Sequence, residues 1–289
     1  MHIPSFWSKV ESQARSPNGN EVHFACWGGS QTSVAEAQIL ARGVAERIAS
    51  RIRRGEGFPE RYAYGDRPLR EEILGKIDGP LGDPTAVLTR NAYGVRVLNA
   101  AQALFIDVDL PAPAPFCALL RRMVRVLFRS RVAPPPDHFA AALAKLEKWL
   151  AGHPDWGVRV YRTRAGLRYL VTHAPFEPGS AQSEATMEYL GCDPQYVILC
   201  RAQQCFRARL SPKPWRCGIS PPSVRFPWGS AAEERAMRSW EARYDSAIQG
   251  SATCSLLKIL GSPRIDPAIA ALVKLHDEDT RAESGLPLA

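Results

Sequence analysis

The chain has 289 residues, 45% of them hydrophobic, enough for one large domain or two small ones with a real core. Its 37 basic residues against 29 acidic ones give a formal charge of +8, which favours an anionic partner such as nucleic acid or nucleotide phosphate, although Arg-rich composition also follows from genomic bias. Seven scattered cysteines argue against a disulfide scaffold. The absence of an apolar signal core at the N-terminus or of any apolar run near about 18 residues argues against a leader and a membrane span. A reduced, cytoplasmic protein is the expectation.

Along the chain, Val22 to Cys26 predicts a short strand, with Gly28 and Gly29 as turn residues after it. Thr32 or Ser33 can cap a helix running to about Arg53, with Val34, Ala37, Ala41, Val44 and Ile48 on one stripe. Arg51, Arg53 and Arg54 near its C-terminus favour the helix dipole and otherwise a solvated face. Glu60 to Gly65 reads as a turn, and Pro68 opens a short helix through Leu74. Three closely spaced strands, Ala86 to Arg90, Gly94 to Leu98 and Ala103 to Asp109, suggest a meander. Phe116 to Phe128 reads as a helix with Arg121, Arg122 and Arg125 on its polar side; the prolines of Ala133 to Asp137 separate it from a helix over His138 to Leu150.

Val158 to Arg162 and Leu167 to Thr172 form a hairpin around Ala165 and Gly166. Helices follow over Ser183 to Leu190 and, longer, over Gln195 to Leu210. Pro212 to Gly229 is a long Pro/Gly/Trp loop, Ala231 to Gln249 a helix, and the polar end from Asp277 is expected to fray. These readings divide the chain into an N-terminal α/β segment (1–80), a core (81–230) and a C-terminal helical segment (231–289).

The stretch LFIDVDL, Leu104 to Leu110, carries the most chemistry. Strand side chains alternate, so Asp107 and Asp109 share one face. Two like charges in a core strand are costly, and a divalent cation, Mg²⁺ or Mn²⁺, removes the penalty. The plainer alternative is a strand edge with two solvated acids. Phosphoryl or nucleotidyl transfer needs two or three such carboxylates. Asp193 is the preferred third metal ligand, against its alternative role as a helix cap or turn residue.

Arg162, Arg164 and Arg168 flank Gly166, which permits a tight turn or close backbone approach. Together they suggest a nucleotide-phosphate-binding rim, since guanidinium matches phosphate oxygens in pairs; an ordinary basic hairpin is the alternative. His173 ends the strand pattern and can serve a phosphate, a sugar or the fold. Arg201, Arg207, Arg209, Lys213 and Arg216, interleaved with Phe206 and Trp215, are candidate nucleic-acid contacts, although they cannot all share one helix face and some must bind acids within the protein. Cys192, Cys200, Cys205 and Cys217 match zinc in number but lack its knuckle spacing, so they read as buried small hydrophobes.

The order of these features resembles the archaeo-eukaryotic primase and primase-polymerase superfamily over roughly residues 86 to 210. Ile106-Asp107-Val108-Asp109 matches its DxD-type acidic motif, while the TRAGLR segment and the strand ending at His173 stand where a Ser-x-His motif is usual, with Arg168 or His173 in its histidine role. The resemblance implies an α+β fold whose mixed or antiparallel central sheet carries packed helices. It also implies two divalent ions on Asp107, Asp109 and a third acid, and attack of a primer or initiating nucleotide oxygen on the α-phosphate of a nucleoside triphosphate. The arginines 162, 164 and 168 would then hold triphosphate or template. The implied function is templated, metal-dependent nucleotidyl transfer, with nucleic acid and nucleoside triphosphates as partners. The alternatives are a non-catalytic nucleic-acid-binding accessory protein, a metal-dependent nuclease, or an interaction protein with a basic surface.

Overall fold

The computed structural model describes residues 1–56, 58, 69–79, 84–111 and 137–289. The expected turn at Glu60 to Gly65, the start of a helix at Pro68, the helix over Phe116 to Phe128 and the prolines at 134–136 lie outside the described residues.

Strands β1 (Phe6–Arg15) and β2 (Glu21–Ser30) pair antiparallel along their whole length, from Phe6 opposite Ser30 to Arg15 opposite Glu21. Helix α1 (Val34–Arg53) covers them. Ser33, one of the two cap residues the sequence offers, is its cap, accepting the Glu36 N–H at 3.1 Å. Gly28 and Gly29 are not turn residues but continue β2. A Cβ at Gly28 would lie 2.2 Å from the Ala37 carbonyl oxygen and 2.3 Å from the Ala41 nitrogen, so the strand backbone lies directly against the helix. Ala37 and Ala41 are small enough to allow it, and both are fully buried. Val34, expected on the same stripe, is 57% exposed. This unit has its own core of Ala14, Cys26, Ala45, Ile48, Ala49 and Ile52.

Two four-stranded antiparallel sheets form the body. One has the order β3 (Glu72–Asp78), β4 (Pro84–Arg90), β5 (Arg96–Ala100), β9 (Phe206–Arg209). The other runs β10 (Cys254–Gly261), β7 (Gly157–Thr163), β8 (Gly166–Val171), β6 (Phe105–Asp109). The architecture is α+β, with antiparallel sheets and packed helices. The hairpin around Ala165 and Gly166 is as expected.

Three local expectations are corrected. The helix through Leu74 is strand β3, because pairing with β4 satisfies its backbone and outweighs weak helix propensity. The meander stops after β4 and β5. Its third strand, β6, pairs with β8 in the other sheet, which buries Phe105 and Ile106 completely. The long helix over Gln195 to Leu210 ends early: α4 (Pro194–Gln203) stops at Gln204, which has a φ of 50°. The chain then fills the open edge of β5, with Leu98 opposite Ala208.

Helices α2 (His138–Ala151), α3 (Ala181–Leu190), α5 (Ala231–Ala247) and α6 (Pro267–Thr280), with a short 3-10 helix at Pro214–Cys217 inside the expected Pro/Gly/Trp loop, complete the described elements. The C-terminal segment does not fray. Asp277 accepts hydrogen bonds from Arg159 and Tyr161, both at 2.6 Å, and Ala289 donates to the Ala252 carbonyl at 3.1 Å. One core joins both sheets, from Ala86 and Leu98 through Phe105 and Tyr169 to Phe206 and Leu272. Among the described residues, no helix is long and apolar enough to cross a membrane.

Candidate functional site

Strands β6 and β9 are edge strands of different sheets, and their seam is bridged by side chains. The Tyr196 hydroxyl donates to the Arg207 carbonyl at 2.8 Å, accepts the Arg207 N–H at 2.9 Å and lies 3.3 Å from the Phe105 carbonyl. Arg168 of β8 reaches across to donate to the Arg209 carbonyl at 2.9 Å. A cavity of about 420 Å³ opens at this seam, lined by Asp107, Asp109, Asp193, Arg209, Lys213 and Arg216 among others. An adjoining cavity of about 750 Å³ shares Asp107, Tyr196 and Arg209 with it and adds the aromatic walls Tyr93, Phe226 and Trp228.

The two strand acids face the same cavity, as period two requires. They are not equivalent. Asp107 is clamped by Arg168, whose Nε donates to Oδ1 at 2.7 Å and Nη2 to Oδ2 at 2.8 Å. The Arg168 side chain is 1% exposed and that of Asp107 35%. Burial pushes the Asp107 carboxyl up, but the Arg168 guanidinium outweighs burial and holds it below the usual carboxylate value. Burial pushes Arg168 down, and Asp107 in turn raises it. Thus Asp107 already has a cationic partner within the protein. Asp109 is exposed to the cavity and stands opposite Gly166.

Arg168 is itself held from behind. Its Nη1 lies 3.3 Å from Nε2 of the fully buried His276, whose Nδ1 lies 3.2 Å from Asp277. A neutral ring with its proton on Nδ1 satisfies both contacts. Burial, followed by the charge of Arg168, pushes His276 down to about 4, despite the opposing hydrogen bond that its ring donates to Asp277.

The same cavity is lined by three cations, Arg209, Lys213 and Arg216. Nε of Arg209 and Nη1 of Arg216 are buried without a hydrogen-bond partner. Burial lowers the basicity of Arg209, Lys213 and Arg216, and neighbouring cations lower it further: Arg168 for Arg209, Arg209 for Lys213 and Arg164 for Arg216. Each of the two unpartnered nitrogens is a donor without an acceptor in the fold, held among like charges. Trp215 stands beside them, 47% exposed, edge-on to Tyr93 at 5.4 Å and with the Lys213 ammonium 5.4 Å from its ring centre.

The remaining candidates have other partners as well. Asp193 lines the cavity and also caps α4, accepting the Gln195 N–H at 2.9 Å. Arg162 lies over the Phe139 ring at 5.1 Å, while Thr163, Ala165 and Leu167, of the opposite strand parity, line the cavity. Gly166 serves close approach to protein: a Cβ there would meet the Val108 carbonyl oxygen at 2.0 Å. His173 sits among Trp156 and Phe176, at the far end of β8 and roughly 20 Å along the strand from Gly166. Arg201 is paired with Glu184, and Arg207 is buried against Glu71 at 2.7 Å. Cys192, Cys200 and Cys205 are buried, and burial pushes the Cys200 thiol up to about 12.

Two features escaped the sequence reading: the Asp107–Arg168 clamp and the Tyr196 bridge. A signal for the first existed, because DVD and GLR carry their polar or small residues at the same i, i+2 spacing and pair in register once the strands meet. Among the described residues, no three His, Cys, Asp or Glu side chains form a group able to hold a metal ion. Mg²⁺ commonly uses only one or two carboxylates together with substrate phosphate and water. Asp107 and Asp109 supply that number of carboxylates to one cavity, whereas a three-acid group is not found among the described residues. Comparison with protein-family models, curated proteins and solved structures finds no match for the chain.

Proposed function

We propose that the seam cavity binds the phosphates of a nucleoside triphosphate beside a nucleic-acid strand, and that the chain performs primase-polymerase-like nucleotidyl transfer there. The observation that carries this reading is the meeting, in one cavity, of two acids on one strand face with Arg209 and Arg216, each of which has one buried guanidinium nitrogen without a partner. Arg209, Lys213 and Arg216 bind and orient the phosphates, in place of Arg162, which lies over Phe139, and Arg168, which is held by Asp107, while the exposed Arg164 stands close enough to Arg216 to add its charge. The adjoining aromatic-walled cavity gives the base and the strand a place next to the same Arg209. Asp109, with Asp107, would hold Mg²⁺ or Mn²⁺, which supplies neutralisation of phosphate charge when bound. Arg168 keeps Asp107 ionised and aimed into the cavity.

A second reading, a nucleic-acid-binding accessory protein without catalysis, draws on the same clamp: Asp107 already has a cationic partner. Incubating the full chain with a labelled primed template, Mg²⁺ or Mn²⁺ and nucleotides separates the possibilities. Extension lost in Asp109→Asn, with binding retained, supports transfer. Binding without extension under every condition supports the accessory role, and shortening of the strand supports a nuclease. Arg209→Gln should weaken tripolyphosphate binding roughly tenfold or more, the scale of one charge-assisted hydrogen bond.

A further inference from the structure

We infer that Arg168 is a built-in cation standing in the place of a second metal ion, so that the cavity takes one divalent ion where a two-ion site is expected. This rests on the nucleotidyl-transfer reading above. Three observations carry it. Both Asp107 oxygens receive a guanidinium N–H, at 2.7 and 2.8 Å, in a planar two-point match. The guanidinium is fixed rather than free to leave, with its remaining donor group held by the Arg209 carbonyl and His276 and only 1% of its side chain exposed. The charge count points the same way. Asp107, Asp109 and Asp193 face Arg209, Lys213 and Arg216, and Arg168 adds a fourth positive charge beneath them. The four cations exceed the three carboxylates by a single charge, so a triphosphate still calls for a divalent ion, and one such ion supplies most of the remaining balance. Two ions bridged by Asp107 would have to compete with a guanidinium that cannot lose its proton.

His276 and Asp277 are positioning residues for this internal cation. The neutral ring accepts from Arg168 and donates to Asp277, which Arg159 and Tyr161 hold at 2.6 Å each. The arrangement ties the cavity floor to α6 and β7, so the guanidinium cannot swing aside to admit a metal ion without breaking contacts to several elements.

The test is a count of bound Mn²⁺ on the full chain by equilibrium dialysis and electron paramagnetic resonance, with a non-hydrolysable α,β-methylene nucleoside triphosphate present. One Mn²⁺ per chain that disappears in Asp109→Asn, with an uncoupled spectrum, is expected. Two Asp109-dependent ions with a spin-coupled spectrum would overturn the inference and leave the transfer reading intact. No Asp109-dependent ion would overturn the transfer reading itself. Arg168→Gln that keeps its native melting transition should raise the count from one to two, and a folded variant that still takes one ion refutes the substitution of guanidinium for metal. Where that variant fails to fold, the wild-type count decides alone.

Discussion

Removing the two partners of the Asp107–Arg168 clamp should have unequal costs, and the inequality follows from their exposure. In Asp107→Ala the guanidinium stays in place, 1% exposed and without its counter-ion. Breaking a buried pair in this way costs about 3–5 kcal/mol. In Arg168→Met the charge left behind is a carboxylate whose side chain is 35% exposed to the cavity, where water can reach it. The aliphatic stem is largely replaced, so the loss is about 1–3 kcal/mol, the scale of hydrogen bonds left unmade. The difference is about 2 kcal/mol between two single substitutions at one contact. Urea denaturation at neutral pH measures it through the midpoint, provided the m-value is unchanged. The double variant should be more stable than the sum of the two losses implies, with a coupling of at least about 1 kcal/mol. Equal costs, or additivity, would refute the claim that Arg168 is the buried member needing compensation. The consequence for function is direct: Asp107→Ala tests stability as much as chemistry, whereas Asp109→Asn alters an exposed side chain.

Three further outcomes are expected. His276 is neutral in the folded chain at a value pushed down to about 4 from the ordinary 6.5, so the unfolded chain takes up its proton first as pH falls. Its contribution is whole above about pH 6.5 and is lost by about 3 kcal/mol between there and pH 4; His276→Gln should flatten that part of the stability profile, and an unchanged slope would contradict the assignment. Gly166→Ala places a methyl against the Val108 carbonyl, so it should cost about 1–3 kcal/mol and reduce Mn²⁺ binding at the neighbouring Asp109; calorimetry and dialysis check both effects. Arg201→Ala and Arg162→Ala should leave tripolyphosphate affinity within about twofold, because Arg201 is spent on Glu184 and Arg162 on Phe139, and a loss matching that of Arg209→Gln by fluorescence competition would refute the placement of the anion site.

Local periodicity and chemistry were enough to read several parts of this chain. The Ala37–Ala41–Ile48 stripe behind a Ser33 cap announces α1, the Ala165–Gly166 turn announces the β7–β8 hairpin, and alternation alone puts Asp107 and Asp109 on one face. What alternation cannot tell is what stands opposite. Whether a cation or a guanidinium balances Asp107 depends on β8 pairing with β6, a contact between residues 61 positions apart. The same holds for the basic run from Arg201 to Arg216, where like side chains meet different fates. Arg201 binds Glu184, Arg207 binds Glu71, and Arg209 and Arg216 enter the cavity with N–H groups unpaired. The break at Gln204 decides this, because it turns an expected helix into a strand and resets which arginines face inward. Spacing along the chain determines which side chains share a face, since it follows from bond geometry alone. Charge balance is settled only by distant partners, because an ion pair is made by whichever opposite charge the packed sheets bring within hydrogen-bond reach.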